Sequence, residues 1–253
     1  MPRILTYNVH RCLGGDRKLS PSRIAEVIAS QAADIVVLQE LDIGRKRSGR
    51  VDQAGLIAQE LGMRLHFYSA LRVLEEQYGD AILTPHASRA IHAADLPGSR
   101  RPPNLERRGA LWAEIEIGGA RLQVINTHLG LLAHERRAQV DALFGPDWLG
   151  HPSCVDPLIL AGDMNAVPRS RAYRQLVSRL TDAQRVPGAN FRPSATFPSM
   201  MPLLRLDHVM VSKSIRVTRT EVVRTPLARL ASDHLPLVVD FDIVPQKTPR
   251  ARS

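Results

Sequence analysis

The chain has 253 residues, two cysteines and a formal net charge of +9 at neutral pH. Two cysteines are too few for a disulfide-rich scaffold, and no apolar run approaches the roughly 20 residues that a membrane-spanning helix needs. No Gly/Ser/Pro-rich linker divides the chain. We therefore expect one domain over residues 1–244 and a basic tail over residues 245–253, a kind of segment that is often disordered.

The positive charge comes almost entirely from arginine, and it favours an anionic partner: nucleic acid, a phospholipid surface or a phosphorylated metabolite. An arginine-rich composition can also reflect the base composition of the coding DNA, so the charge does not choose among these partners. The N-terminal residues lack the apolar segment of a signal peptide, and the low cysteine content suits a reducing compartment. We expect a cytoplasmic protein without a transmembrane segment.

In chain order, the hydrophobic pattern predicts a mix of antiparallel hairpins and βα units. Ser20 and Pro21 are typical of a helix start, Gly62 of a helix end, and Gly118-Gly119 of a hairpin turn. The predicted strands cover residues 3–9, 34–39, 64–70, 79–84, 109–117, 120–127, 158–162, 205–212, 216–223 and 235–244. One predicted helix begins at Ser20, and three others cover residues 51–61, 131–144 and 170–180. Predicted loops cover residues 42–50, 100–103 and 187–202, of which the last is placed to frame a substrate.

The apolar run at residues 158–161 ends in Gly162, Asp163, Met164 and Asn165. Such a run is typical of a buried strand, whose C-terminal end lies at the sheet edge where α/β proteins tend to keep their chemistry. Side chains alternate along an extended segment, so Asp163 and Asn165 would lie on the same side. The alternative is an ordinary turn, because Gly-Asp-x-Asn is also good turn chemistry.

Several other predicted strands carry polar side chains at one end. These side chains are Asn8 and His10, Gln39 and Glu40, Asn126, Thr127 and His128, Asp207 and His208, and Asp233 and His234. Polar groups delivered by so many separate strand ends indicate one converging site.

Six short motifs occur in the order found in the endonuclease/exonuclease/phosphatase superfamily, which the chain resembles from residue 4 to about residue 241. The motifs are Thr6-Tyr7-Asn8, Leu38-Gln39-Glu40, Asn126-Thr127-His128-Leu129, Gly162-Asp163-Met164-Asn165, Arg205-Leu206-Asp207-His208 and Ser232-Asp233-His234. The resemblance implies an α/β (α+β) fold with four layers, in which two mixed β-sheets pack face to face and are flanked by helices. It identifies the superfamily and not the substrate.

The resemblance implies that Glu40 is a ligand of Mg²⁺ or Mn²⁺, with Asn8 beside the metal and Asp233 as a second carboxylate on the metal side. Burying a carboxylate is costly unless it has a partner, and Mg²⁺ prefers oxygen ligands. The alternative partner for Glu40 is one of the many arginines. His10 departs from the family pattern, because many nucleases of this group carry an aspartate there.

The same resemblance implies the catalytic roles. Asp163 would orient or deprotonate the attacking water, and Asn165 would hold the scissile phosphate. His234, with Asp207 as its carboxylate partner, would face the phosphate from the opposite side. His128 would donate a hydrogen bond to the phosphate or to the leaving group.

Three further residues are expected to contact the phosphate: Asn126, Arg108 and Arg136. Arg108 precedes the predicted hairpin, and Arg136 lies on the helix that follows it. We interpret the neighbouring Arg107 as a solvated surface residue. His208 would point away from Asp207 on a strand, so we interpret it as structural.

These assignments predict a divalent-metal-dependent hydrolase of phosphate esters: a phosphodiesterase, phosphatase or nuclease that uses in-line attack of water on phosphorus. The basic charge favours nucleic acid, but aromatic residues make up only 4% of the chain and leave few platforms on which bases can stack. A sphingomyelinase-like phospholipid phosphodiesterase is one alternative, and it would need a membrane-facing apolar hairpin, for which residues 200–204 are the nearest candidate. A non-catalytic anion-binding protein on the same fold is the other.

Overall fold

The computed structural model describes residues 1–73, 75–98, 106–186 and 191–244. The predicted basic loop at residues 100–103 and the tail at residues 245–253 lie outside the described residues, as do residues 187–190 of the predicted loop at 187–202.

In the described residues, strands and helices alternate up to residue 61, strands follow one another over residues 64–128, and helices return from residue 133. The strands are β1 (Arg3–Asn8), β2 (Ile35–Ile43), β3 (Arg64–Val73), β4 (Glu76–Thr84), β5 (Ser88–Asp95), β6 (Gly109–Ile117), β7 (Ala120–His128), β8 (Leu158–Asp163), β9 (Thr181–Asp182), β10 (Asp207–Val211), β11 (Ile215–Val222) and β12 (Leu237–Ile243). The helices are α1 (Pro21–Ala29), α2 (Gln53–Leu61), α3 (Ala133–Leu143), α4 (Arg171–Leu176) and α5 (Pro226–Ala231). None of the helices in the described part of the chain is both long and apolar enough to cross a membrane.

The strands form two mixed sheets of six strands each. The order is β11-β12-β1-β2-β4-β3 in the first sheet and β5-β6-β7-β8-β10-β9 in the second. Each sheet has one parallel pair at its centre, which is β1 with β2 in the first and β7 with β8 in the second. Since parallel neighbours run in the same direction, each pair places its C-terminal residues side by side at one edge.

The core is built from alternate side chains of the strands, as their period of two requires. From β8, Ile159 and Ala161 join the apolar cluster between the two sheets, while Leu158 and Leu160 point the other way and pack with α3 and α4. The helices α1 and α2 bury their apolar residues on the first sheet. The predicted fold, two mixed sheets packed face to face and flanked by helices, is confirmed.

Several elements differ from the sequence prediction, which also lacks β9 and α5. The second strand does not end at Gln39, because β2 continues through a bulge where the register with β4 shifts between Leu38 and Leu41. Glu40 lies in this bulge with a φ of +64°, a conformation that is uncommon for a residue with a side chain. The strand β5 was not predicted, because its residues are mostly partly exposed and alternate weakly.

We expect Gly162→Ala to destabilise the protein strongly. Gly162 has a φ of +143°, and a Cβ atom there would lie 1.9 Å from the carbonyl oxygen of Thr127 on the adjacent strand. The backbones of β7 and β8 would have to separate, so the free energy of unfolding should fall by roughly 3 kcal/mol or more in urea denaturation.

Gly15→Ala is the matched control, because a Cβ atom at Gly15 would meet no atom within 4 Å. It should change the free energy of unfolding by less than about 0.5 kcal/mol. Equal stabilities of the two variants would show that β7 and β8 do not approach as closely as described.

Candidate active site

The two central parallel pairs bring the predicted site residues together. Asn8 ends β1 and Glu40 lies near the end of β2, while His128 ends β7 and Asp163 ends β8. In the second sheet, His128 pairs with Asp163, which in turn pairs with Asp207 on β10. Both sheets therefore deliver polar groups to one edge of the sandwich.

The Asp163 carboxylate lies at the centre of this cluster, and only 1% of its side chain is exposed. Its Oδ1 accepts a hydrogen bond from the backbone N–H of Asn165 at 2.8 Å, and its Oδ2 accepts one from Nδ2 of Asn8 at 3.0 Å. The Nε2 atoms of His128 and His234 lie 3.4 Å and 3.7 Å from the same Oδ2. One buried carboxylate thus connects four of the predicted site residues.

The His234 imidazole is held in its charged form. Its Nδ1 donates to Oδ2 of Asp207 at 2.8 Å, and the same oxygen accepts a hydrogen bond from Oγ1 of Thr196 at 2.5 Å. Burial alone would lower the pKa of His234, but the negative charges of Asp207 and Asp163 outweigh it and raise the pKa to about 10. The imidazolium therefore presents an N–H group at Nε2 on the side of Asp163.

The His128 imidazole is held in the opposite state. Burial, together with the positive charge of Arg108, lowers the pKa of His128 to about 3. Arg108 donates from Nη1 to Nδ1 of His128 at 2.9 Å, so Nδ1 is the unprotonated nitrogen and Nε2 carries the hydrogen. Neutral His128 therefore also presents an N–H group, in this case without a charge.

Asn165 adopts a left-handed backbone conformation with a φ of +45°. Its Nδ2 donates to the carbonyl oxygen of Leu129 at 2.9 Å and lies 3.1 Å from Nε2 of His128. This conformation carries the Asn165 amide back toward the end of β7, close to the groups that surround Asp163.

The Glu40 carboxylate is more accessible than that of Asp163, with 21% of its side chain exposed. Its Oε1 accepts a hydrogen bond from Nδ2 of Asn8 at 3.1 Å. Burial raises the pKa of Glu40 to about 7, and the carboxylates of Glu106 and Asp163 act in the same direction. Among the described residues, Glu40 forms no ion pair with an arginine.

These features of Glu40 fit a divalent cation. The side chain offers hard oxygen donors, reaches solvent, and lies where the ionised form is disfavoured unless a positive charge joins it. Asp233 lies at the rim, with 45% of its side chain exposed and its Oδ1 3.6 Å from Nδ1 of His10. His10 thus stands beside a predicted metal-side carboxylate, at the position where the family pattern changes.

A second possible metal site is a compact acidic group of three side chains. Within the described part of the chain, one set of three acidic or imidazole side chains has potential ligand atoms that all lie within 4.8 Å of one another: Asp163, Asp207 and His234. Glu40 and Asp233 do not belong to it. Because a hydrogen bond already joins Asp207 to His234, a metal ion there would have to break that pair.

Asn126 requires a correction, because it does not reach the pocket. Its side chain is fully buried between the sheets, where Nδ2 donates to the carbonyl oxygens of Leu38 and Ala81, both at 2.8 Å. Its Oδ1 accepts a hydrogen bond from Nε2 of Gln39 at 2.8 Å. Both amide hydrogens and the carbonyl oxygen are engaged in joining the two sheets, which disagrees with the predicted phosphate contact.

The other four residues considered in the sequence analysis have different surroundings. Arg108 is 8% exposed and lies against His128, whereas Arg107 is solvent-exposed and lies 3.6 Å from Asp95. Arg136 is half-buried, and its Nη1 donates to the carbonyl oxygens of Gly130 and Leu131. His208 is buried and hydrogen-bonds the Ala166 carbonyl oxygen at 2.8 Å, as a structural residue would.

Sequence reasoning missed two residues of the site. Asp80 on β4 is buried and accepts the backbone N–H of Glu40, and burial raises its pKa to about 7 in spite of the nearby Arg108. Thr196 supports Asp207 from an irregular segment. A charged residue inside the apolar run of β4 was a signal for Asp80, whereas no pattern marks Thr196.

The comparisons with known proteins agree with this geometry. The model of the endonuclease/exonuclease/phosphatase family matches residues 5–234. The chain is 25% identical over 253 residues to the uncharacterized protein YbhP of Escherichia coli K12, and the match covers 95% of this chain and 96% of YbhP.

Solved structures share the fold at lower sequence identity. A mannosyl-6-phosphatase from Bacteroides thetaiotaomicron has a TM-score of 0.77 and 20% identity, with coverage of 96% of this chain and 100% of that one. The catalytic domain of human Nocturnin with a bound sulfate anion has a TM-score of 0.72 and 23% identity, with coverage of 96% and 94%. The family match over most of the chain shows that this protein belongs to the endonuclease/exonuclease/phosphatase family.

Proposed function

We propose that the protein is a divalent-metal-dependent hydrolase that cleaves phosphate esters by direct attack of water on phosphorus. Family membership makes it a hydrolase of phosphate esters, of the phosphatase or nuclease kind. The observation that carries the proposal is the pair of imidazole Nε2 atoms, of His128 and His234, at 3.4 Å and 3.7 Å from one oxygen of Asp163. In this arrangement the buried carboxylate can accept a hydrogen bond from a water molecule, while the two N–H groups donate hydrogen bonds to an anionic phosphoryl group.

Each residue then has a definite task. Asp163 accepts a hydrogen bond from the attacking water and takes its proton as the oxygen approaches phosphorus. The imidazolium of His234 stabilises the negative charge that grows on the non-bridging oxygens, and neutral His128 donates a second hydrogen bond from Nε2. Arg108 fixes the His128 ring by donating to its Nδ1, and Asn165 lies on the Nε2 side of the ring. No covalent intermediate is needed.

Glu40 and Asp233 would hold Mg²⁺ or Mn²⁺, with Asn8 between Glu40 and Asp163. When bound there, a divalent cation would neutralise charge on the phosphoryl oxygens. The partial exposure of Glu40, and the lack of an arginine partner for it within the described ranges, support this position. The hydrogen bond between Asp207 and His234 argues against the alternative position at Asp163.

The relatives support a tetrahedral oxyanion as the ligand. The Nocturnin catalytic domain binds a sulfate anion, and the Bacteroides thetaiotaomicron protein is a mannosyl-6-phosphatase. Sulfate and phosphate have the same shape and similar hydrogen-bonding oxygens. A phosphoryl group in front of Asp163 is therefore the simplest ligand for this chain.

One observation favours a phospholipid as a second candidate substrate. Met200, Met201 and Leu203 are 71%, 65% and 67% exposed, so the loop is apolar and open to solvent. The backbone N–H of Ser199 donates to the carbonyl oxygen of Asp233 at 2.6 Å, which fixes this loop beside the site. An apolar substrate or surface would contact the loop while its phosphate enters the site.

We expect hydrolysis of bis-p-nitrophenyl phosphate or p-nitrophenyl phosphate in Mg²⁺ or Mn²⁺ and its loss in EDTA. Asp163→Asn should lower kcat roughly 100-fold or more, because the group that accepts the proton of water is lost. Asp242→Asn is the matched control, since Asp242 pairs with Arg216 at the surface, and it should retain the wild-type rate. Turnover without a divalent cation, or full activity of Asp163→Asn, would contradict the proposal. Hydrolysis of sphingomyelin vesicles, assayed in parallel, separates the two substrate candidates.

We expect Glu40→Gln to weaken Mn²⁺ binding about tenfold or more, because the substitution removes the charged oxygen ligand. Isothermal titration calorimetry measures this without turnover. Glu221→Gln, at an exposed pair with Arg219, should bind Mn²⁺ like the wild type. If Glu40→Gln binds Mn²⁺ normally while Asp207→Asn does not, the ion lies at the compact acidic group instead.

We expect substitutions of Asp207 and Thr196, the residues that support His234, to lower kcat by graded amounts. Asp207→Asn should lower kcat roughly 100-fold or more with little change in KM, because the imidazolium loses the charge that stabilises it. Thr196→Val should cost about tenfold, since it removes one hydrogen bond to Asp207, and Thr196→Ser should restore most of the rate. A Thr196→Ser variant as slow as Thr196→Val would indicate that packing, not the hydrogen bond, matters at this position.

A further inference from the structure

A basic cleft lies between α3 and α4, next to the candidate active site. Its volume is about 550 Å³, and its lining includes six polar residues. They are His134, Arg136, Arg137, Arg169, Ser170 and Arg171. We refer to this feature as the arginine cleft.

None of the described residues that line the arginine cleft is acidic. Some exposed arginines elsewhere in the chain lie beside carboxylates, for example Arg216 beside Asp242 at 2.7 Å. In contrast, Arg137, Arg169 and Arg171 have no ion-pair partner among the residues that the structure describes. Uncompensated guanidinium groups that share one concave surface attract an anion, and they match phosphate oxygens in geometry.

The arginine cleft and the candidate active site are formed by successive segments of the chain. The chain runs from His128 at the end of β7 directly into α3, and from Asp163 through Asn165 into α4. Arg136 joins the two regions, because its guanidinium holds the Gly130 carbonyl oxygen and interacts electrostatically with the Asp163 carboxylate. A ligand phosphate in the cleft would therefore lie on the same side of the sandwich as the reacting phosphate.

We propose that the arginine cleft binds a second phosphate group of the substrate, away from the one that is cleaved. This inference rests on the proposed function and narrows it to substrates that carry at least two phosphate groups. Arg137, Arg169 and Arg171 bind the second phosphate, whereas Arg136 is already engaged by main-chain oxygens and positions the loop between the two sites. A bisphosphorylated small molecule and a polynucleotide share this chemistry.

The experiment compares two esters that differ by one phosphate: thymidine 5′-(p-nitrophenyl phosphate) and the same ester with an added 3′-phosphate. The wild type should have a kcat/KM roughly tenfold or more higher for the second ester. The triple variant Arg137→Gln/Arg169→Gln/Arg171→Gln should lose this preference and retain the wild-type kcat/KM for the first ester. The same three substitutions should weaken binding of decathymidylate and lower the slope of its salt dependence by about 2.

The matched control is Arg64→Gln/Arg121→Gln/Arg216→Gln, which makes the same change in net charge at the far ends of the strands from His128. It should behave like the wild type. If the triple variant loses both the preference for the second ester and decathymidylate binding, the result supports a site for any substrate with two phosphates. If it loses decathymidylate binding alone, the result supports a polynucleotide substrate.

Two outcomes are distinct failures. If the triple variant changes neither the ester preference nor decathymidylate binding, the arginine cleft does not bind phosphate and the inference is overturned. If the wild type hydrolyses neither ester in Mg²⁺ or Mn²⁺, the proposed function fails for them, and the binding measurement, which needs no turnover, still decides whether the cleft binds phosphate.

Discussion

The buried carboxylate of Asp163 is the constraint on which the site depends. A charged group with 1% of its side chain exposed is costly unless hydrogen bonds and opposite charge surround it. Asn8 supplies one donor from the first sheet, and the Asn165 backbone and the two imidazoles supply the others from the second sheet and from the segment before β12. The two sheets must therefore pack with their strand ends in register, and the same arrangement creates a polar pocket at that edge.

Most of the fold and much of the site could be predicted, because both depend on local patterns. Apolar runs that alternate along the strands and polar residues at their ends correctly indicated where Asn8, His128 and Asp163 would lie. Asn126 shows the limit of this reasoning. It points to the same face of β7 as His128, two residues earlier, and there the side chain meets the backbone of the first sheet instead of solvent. An alternating pattern gives the face of a strand and not the depth at which a side chain is buried.

The remaining features could not be predicted, because they depend on contacts between distant parts of the chain. The bulge that turns Glu40 outward is stabilised by Asp80, which accepts its backbone N–H from the neighbouring strand. Likewise, Thr196 supports Asp207, and Arg108 selects the tautomer of His128. These residues position the groups that the motifs contain. The opposite charge states of the two imidazoles result from this supporting layer, since the same residue type lies beside a carboxylate in one case and a guanidinium in the other.

The central claim is that His128 and His234 face one phosphoryl group in front of Asp163, with the cation at Glu40. A crystal structure with Mn²⁺ and inorganic phosphate tests it most directly, because anomalous scattering locates the metal. We expect phosphate oxygens about 3 Å from Nε2 of both imidazoles and Mn²⁺ beside Glu40. Phosphate bound away from both imidazoles, or Mn²⁺ held by Asp163, Asp207 and His234, would contradict it.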